Sequence, residues 1–218
     1  MPDPSVGPQS TALDPAPAAA RRLAASDPVL AAIIERVGPL DPRHLRRGRP
    51  TSAFGSLARS VVGQQLSTVA ARTIWERVVA IIGEPGPTAM LDADPADLRD
   101  AGLSQRKVAY LRGLAELVVD GELDLDALAE LPDDEVTAQL TAVRGFGVWT
   151  AEMFLIFHLG RPDVLPVGDL GIRRAAERAY ELDALPEPGP LRQLAEPWRP
   201  QRSLASLYLW RSLDATPA

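Results

Sequence analysis

Nowhere along this chain do polar and apolar residues alternate long enough to make a half-buried strand. Apolar residues recur instead at three- and four-residue spacing, between residues that start and stop helices. That pattern confines the chain to an all-α architecture. Asp27-Pro28 opens a helix that runs to Gly38-Pro39. Ser52 caps a second, with Phe54, Leu57, Ala58, Val61 and Val62 on its apolar face, and a third carries Val69, Ile74, Val78 and Ile82 before Gly83. Asp94-Pro95 and Ser104 open two more, the latter carrying Val108, Leu111, Leu114, Ala115 and Val118 before Gly121. The spacing predicts roughly nine or ten helices.

The chain has 218 residues, of which 46% are hydrophobic, enough for one globular unit or two small helical lobes sharing a core. Residues 1–18 are rich in Pro, Ala and Ser without apolar periodicity and are expected to form a disordered leader, with one domain over 19–218. There is no cysteine, so disulfides, thiolate zinc sites, cysteine nucleophiles and cysteine-held iron–sulfur clusters are excluded. No secretory signal pattern and no apolar run of membrane-spanning length occur, so a cytoplasmic protein without membrane contact is expected.

The formal charge of -6 argues against a polyanionic partner until its distribution is considered. Eight carboxylates and no basic residue lie between Asp120 and Glu135, and the rest of the chain carries +2. Basic residues gather in Arg43 to Arg49, in Arg173, Arg174 and Arg178, and in Arg199, Arg202 and Arg211. Each cluster alone reads as a solvated surface.

The segment from Leu140 to Arg174 carries the chemistry. One helix is expected over Asp133 to Val143 and another over Trp149 to Leu159, closed by Gly160, so that a helical hairpin spans 133–160. Between them, Arg144-Gly145-Phe146-Gly147 permits a backbone turn too tight for side chains, with Phe146 turned inward. Its amides and the start of the next helix then form a phosphate-binding surface that needs no basic side chain. Downstream, Leu165-Pro166-Val167-Gly168-Asp169 places a carboxylate at the start of an amphipathic helix, Leu170 to Tyr180. Asp169 reads as an N-cap, and a helix N-terminus also keeps a carboxylate ionised, as stabilising a positive sugar requires.

VRGFGVWTA followed by LPVGDLGIRR resembles the helix-hairpin-helix DNA glycosylases, in particular their AlkA-type 3-methyladenine DNA glycosylase II branch. SVVGQQLSTVAARTI, from Ser60 to Ile74, is similar to the segment of that branch which fills the gap left by a flipped base. WRPQRSLASLYLW, from Trp198 to Trp210, is similar to its C-terminal helix. The resemblance implies two helical lobes with a DNA cleft between them, one lobe built from the early chain and the C-terminal helices. It implies a monomer acting on double-stranded DNA with alkylated bases, with Asp169 as catalytic carboxylate. Trp149, Trp210, Met153 and Gln64 would meet the flipped base. Gln65, Leu66, Ser67, Arg144, Gly145, Phe146, Gly147, Thr150 and Arg173 would contact DNA, with the wedge at Gln65 or Leu66. No cofactor is required. The backbone carbonyls of Thr141, Val143 and Phe146 match positions that hold a structural Na or K ion.

Two departures stand out. Arg144 replaces the proline usual before the first hairpin glycine, and Met153 stands where an aromatic residue walls the pocket in the best-known members. Trp149 occupies the place where strand-cleaving relatives carry a Schiff-base lysine. The chain has a single lysine, Lys107, which reads as a helix-surface cation far from the hairpin. His44 and His158 show no metal or triad spacing. A non-catalytic helix-hairpin-helix DNA-binding module and a glycosylase for other damaged bases remain open alternatives.

Overall fold

The computed structural model describes residues 16–40 and 50–214, and among these twelve α-helices and no strand occur. They are α1 (Ala16–Ser26), α2 (Pro28–Val37), α3 (Ala53–Gly63), α4 (Thr68–Ile82), α5 (Pro87–Asp92) and α6 (Pro95–Asp100). There follow α7 (Gln105–Val119), α8 (Asp133–Ala142), α9 (Val148–Phe154), α10 (Leu170–Ala179), α11 (Pro188–Leu194) and α12 (Arg202–Asp214). A π-helical turn over Leu155–Leu159 continues α9 to Gly160, whose left-handed backbone ends the rod.

Helix starts follow the chemistry of the capping residues. Asp27 accepts from the amides of Val29 and Leu30, Ser52 from Gly55, Ser67 from Ala70, Asp94 from Ala96 and Ser104 from Lys107. Three helices escape the periodicity. α5 and α11 are six and seven residues long, too short to display a repeated apolar face. α1 begins at Ala16, inside the expected leader, because Ala19 and Leu23 bury against α2. Residues 1–15 and the basic cluster Arg43 to Arg49, with His44, lie outside the described residues. Val69, expected on the inner face of α4, is 75% exposed because it belongs to the first turn after an exposed loop.

The helices pack in two groups. α1, α2, α10 and α12 form one lobe, with the early chain against the C-terminal helix. α3 to α9 form the other, centred on α3 and α7. Asp27 anchors the first lobe: it is 6% exposed and accepts the Tyr180 hydroxyl at 2.6 Å and the Trp198 indole N–H at 2.8 Å. Burial alone would raise its pKa, but those donors and the amides of Leu30 and Val29 bring it below the ordinary value.

Candidate active site and DNA-facing surface

The site lies at the seam between the lobes, and the approach to it is fixed from several sides. After the π turn, Arg161 donates to the carbonyls of Ala129 and Leu131. Asp163 receives Arg199 and Arg202, and Ser203 bonds the amide of Val164 and the carbonyl of Arg161. Leu165, Pro166 and Val167 are then buried, and Gly168 returns the chain to the surface at Asp169. Two of the three C-terminal arginines counted in the basic clusters therefore serve this loop: Arg202 is held by Asp163 and Arg199 by Asp163 and Glu196.

Asp169 caps α10 by accepting the amide of Ile172 at 2.8 Å. Its Oδ1 also accepts Trp210 Nε1 at 2.8 Å, and its Oδ2 accepts Trp149 Nε1 at 2.8 Å. The carboxylate is thus gripped by one indole from each lobe, Trp149 on α9 and Trp210 on α12. A carboxylate oxygen accepts two hydrogen bonds in its plane, so Oδ1 is filled and Oδ2 keeps one lone pair. Asp27 shows the same pattern of helix cap and indole donor, yet both its oxygens are closed in by α2, Tyr180 and Trp198. Asp169 instead stands half-buried between exposed Gly168 and Leu170.

Phe157, from the π turn, stacks on Trp210 with centroids 5.9 Å apart, and Met153 is buried one turn beyond Trp149. Sequence reasoning missed two residues here. A Cβ on Gly171 would stand 2.9 Å from Asp169 Oδ1 and 3.1 Å from Trp210 Nε1, so only glycine admits this grip. Glu152, one turn after Trp149, has its carboxyl pushed up to about 7 by burial and by the negative charge of Asp169, against a smaller pull from Arg192. Gly171 reads as an ordinary helix-interior glycine that only the packed indole explains, and Glu152 looks like any helix-surface glutamate until α9 is packed.

The hairpin between α8 and α9 is a tight turn in which Phe146 N–H donates to the carbonyl of Val143, and Phe146 is buried. Gly145 has φ +90°, and a Cβ there would fall on the ring of Tyr110 from α7. Gly147 caps α9 with no side-chain bond, which leaves the first amides of α9 without a side-chain partner. Arg144 is exposed beside this turn.

Three residues expected to meet DNA or base are committed elsewhere. Thr150 is 1% exposed, its hydroxyl accepting Gln64 Nε2 at 3.1 Å, because α9 turns this face onto α3. Gln64 Nε2 also donates to the carbonyl of Gly145, so this amide joins the loop after α3 to the hairpin instead of facing the base. The Arg173 guanidinium donates to the carbonyl of Pro186 and the carboxylate of Glu187, which hold it against the chain before α11.

Past Gln64, Gln65 takes φ +60°, a left-handed conformation that costs a non-glycine residue about 1 kcal/mol or more. Gln65, Leu66 and Ser67 are exposed, Leu66 to 40%. Of the six large apolar residues exposed among those described, Leu66, Val69, Val148 and Leu170 belong to the loop after α3 and to the starts of α4, α9 and α10. Val148 and Leu170 open the two helices that follow the hairpin and Asp169, and Leu66 and Val69 follow Gln64, which bonds the hairpin at Gly145. A separate cavity of about 320 Å³, lined by Arg22, Leu23, Ser26, Trp198, Arg199 and Gln201, holds none of these groups.

Residues 58–200 match the HhH-GPD superfamily of base excision DNA repair proteins. DNA-3-methyladenine glycosylase 1 of Schizosaccharomyces pombe is 34% identical over 185 residues, 83% of this chain and 80% of that protein. The Bacillus subtilis protein YfjP is 34% identical over 75% of this chain, which spans 60% of YfjP's length. Among solved structures, the S. pombe 3-methyladenine DNA glycosylase in complex with abasic DNA superposes with a TM-score of 0.84 at 31% identity, covering 90% of this chain and 97% of the other. The chain belongs to the HhH-GPD superfamily of base excision DNA repair proteins, in the branch that holds 3-methyladenine DNA glycosylases.

Proposed function

We propose that the protein is a monofunctional, monomeric DNA glycosylase that removes alkylated bases of the 3-methyladenine type from double-stranded DNA. The observation that carries this reading is the Asp169 carboxylate, gripped by the indoles of Trp149 and Trp210 with one Oδ2 lone pair left open. A glycosidic bond in stacked duplex is out of reach, so the nucleotide is flipped out, most cheaply where pairing is damaged. Gln65 or Leu66 then fills the gap as the wedge, and the hairpin holds the phosphates on its backbone amides. Arg144 adds a phosphate contact.

Alkylation on a ring nitrogen makes the base cationic, and indole faces attract such a ring by about 0.5–2 kcal/mol. The bond from C1′ to the base breaks with its electron pair leaving on the base, which neutralises the base. Asp169 stabilises the positive sugar until water adds to C1′ and loses a proton. Among the described residues no amine is placed to form a Schiff base: Trp149 stands at that position, and the one lysine bonds backbone carbonyls. No cofactor enters the reaction. Among the described residues the carbonyls of Thr141 and Phe146 accept no backbone hydrogen bond outside the helices, and that of Val143 accepts one, a donor set that suits a monovalent Na or K ion beside the hairpin.

The test is release of 3-methyladenine from dimethyl-sulfate-treated duplex, measured in single turnover for wild type and Asp169→Asn. Two unit charges about 4 Å apart at an effective dielectric near 20 interact by about 4 kcal/mol, so loss of the charge slows release about a thousandfold. No adduct forms with borohydride. Wild-type protein that binds the DNA but releases no alkylated base would make it a non-catalytic module, and undiminished release by a folded Asn variant would remove Asp169 from the chemistry.

A further inference from the structure

Lys107, the chain's only lysine, is not a surface cation. From the first turn of α7 its Nζ donates to the carbonyls of Val62 and Gln64, each at 2.8 Å. These carbonyls belong to the end of α3, where helix geometry leaves acceptors without amide partners and a positive charge is favoured. Immediately beyond them the chain makes its left-handed step at Gln65 and exposes Leu66. The same loop is held from the other side by Gln64 Nε2 on Gly145 and Thr150. One turn after Lys107, the ring of Tyr110 lies against Gly145. The start of α7 therefore touches both the loop after α3 and the hairpin. Lys107 is half-buried, and that burial lowers its pKa.

We propose that Lys107 is a positioning residue that fixes the wedge loop, Gln65 and Leu66, at the height from which it enters the duplex while the hairpin grips the backbone. This rests on the reading of Gln65 or Leu66 as the wedge. An ammonium bonds both carbonyls and keeps a third donor for water, which a neutral side chain of this length does not. Without it, two carbonyls at a helix end fall to solvent, and the strained Gln65 conformation loses the contact that holds it. The phosphate grip, built from hairpin amides, stays intact. Insertion of the wedge and binding of the backbone then become separable.

The experiment uses the full chain and a duplex carrying a tetrahydrofuran abasic analogue with 2-aminopurine as its neighbour. Affinity is read by anisotropy and wedge insertion by the rise in 2-aminopurine fluorescence. Wild type, Lys107→Met, Lys107→Arg and the double variant Gln65→Ala/Leu66→Ala are compared, with thermal midpoints for each. Lys107→Met is expected to keep affinity within about threefold while losing half or more of the fluorescence rise, and to slow 3-methyladenine release about tenfold, as a small misplacement does. Lys107→Arg, which restores charge and two donors, recovers most of the rise. An unchanged rise in Lys107→Met overturns the proposal, and so does a loss of rise matched by equal losses of affinity and melting temperature. If wild type gives no rise, or the double variant keeps all of it, the wedge reading itself fails. If the double variant loses the rise and Lys107→Met does not, only the role of Lys107 fails.

Discussion

Trp149 Nε1 and Asp169 Oδ2 lie 2.8 Å apart, and this one bond joins the hairpin-bearing lobe to the start of the helix that carries the carboxylate. A hydrogen bond to a charged group contributes about 1.5–3 kcal/mol net. Trp149→Phe keeps an aromatic face and removes the donor, leaving Oδ2 free to turn. Single-turnover release of 3-methyladenine is expected to fall about 10- to 100-fold, with the fold retained by circular dichroism. A phenylalanine variant as fast as wild type would mean that the indole acts only through its face.

Gly171 offers a sharper separation of site from fold. Alanine ordinarily favours a helix over glycine by up to about 1 kcal/mol, so nothing in α10 itself opposes Gly171→Ala. Its Cβ, however, would stand 2.9 Å from Asp169 Oδ1 and 3.1 Å from Trp210 Cδ1 and Nε1. Carboxylate and indole must part. Melting should shift by no more than a few degrees, while release falls by tenfold or more, since small displacements at a reacting centre are costly. Equal activity of the alanine variant would show that the Trp210 to Asp169 bond is dispensable.

Glu152 links stability to pH. Its folded pKa is about 7, against an ordinary 4.5, through burial first and the charge of Asp169 second, opposed by Arg192. Between these values the folded chain holds a proton that the unfolded chain has lost. The contribution is therefore complete below about pH 4.5, is lost as pH rises to about 7, and is flat above. Glu152→Gln stays neutral throughout. It should be the more stable protein at pH 8, by roughly 1–3 kcal/mol, and should hold no such advantage at pH 4.5. Urea melts at the two pH values check this, and an identical pH slope in both proteins would contradict it.

The hairpin predicts a binding phenotype without a catalytic one. Gly145 has φ +90° and its missing side chain leaves room for Tyr110, so Gly145→Ala strains the turn twice. Affinity for an abasic duplex should drop about tenfold or more. Arg144→Ala should reduce the dependence of log affinity on log salt by about one, as loss of one phosphate contact does. Anisotropy titrations across a salt series measure both, and a flat salt response in wild type would count against the phosphate-binding surface.

The helix starts were legible in the sequence because capping is local. Asp27, Ser52, Ser104 and Asp169 each bond an amide two or three residues along their own chain, so residue type and position suffice. The hairpin was legible for the same reason: glycine at 145 and an apolar residue at 146 state the turn within one short stretch. Periodicity likewise marked which face of a long helix is apolar. It could not say what would cover that face, and α5 and α11 are too short to show a face at all.

The tertiary structure decided everything that depends on partners distant in the chain. Trp149 and Trp210 reach Asp169 across 20 and 41 residues, and Lys107 reaches Val62 and Gln64 across 45 and 43. A polar side chain on a helix reads as exposed until another element arrives to accept or donate. That is why Thr150 and Arg173 were expected on the DNA side and are instead taken up by Gln64, Pro186 and Glu187. The sequence by itself determined where a carboxylate and a tight hairpin occur. Only packing of the two lobes determined that two indole N–H groups converge on that carboxylate, because hydrogen bonds of fixed length between separate helices exist only once the helices are in place.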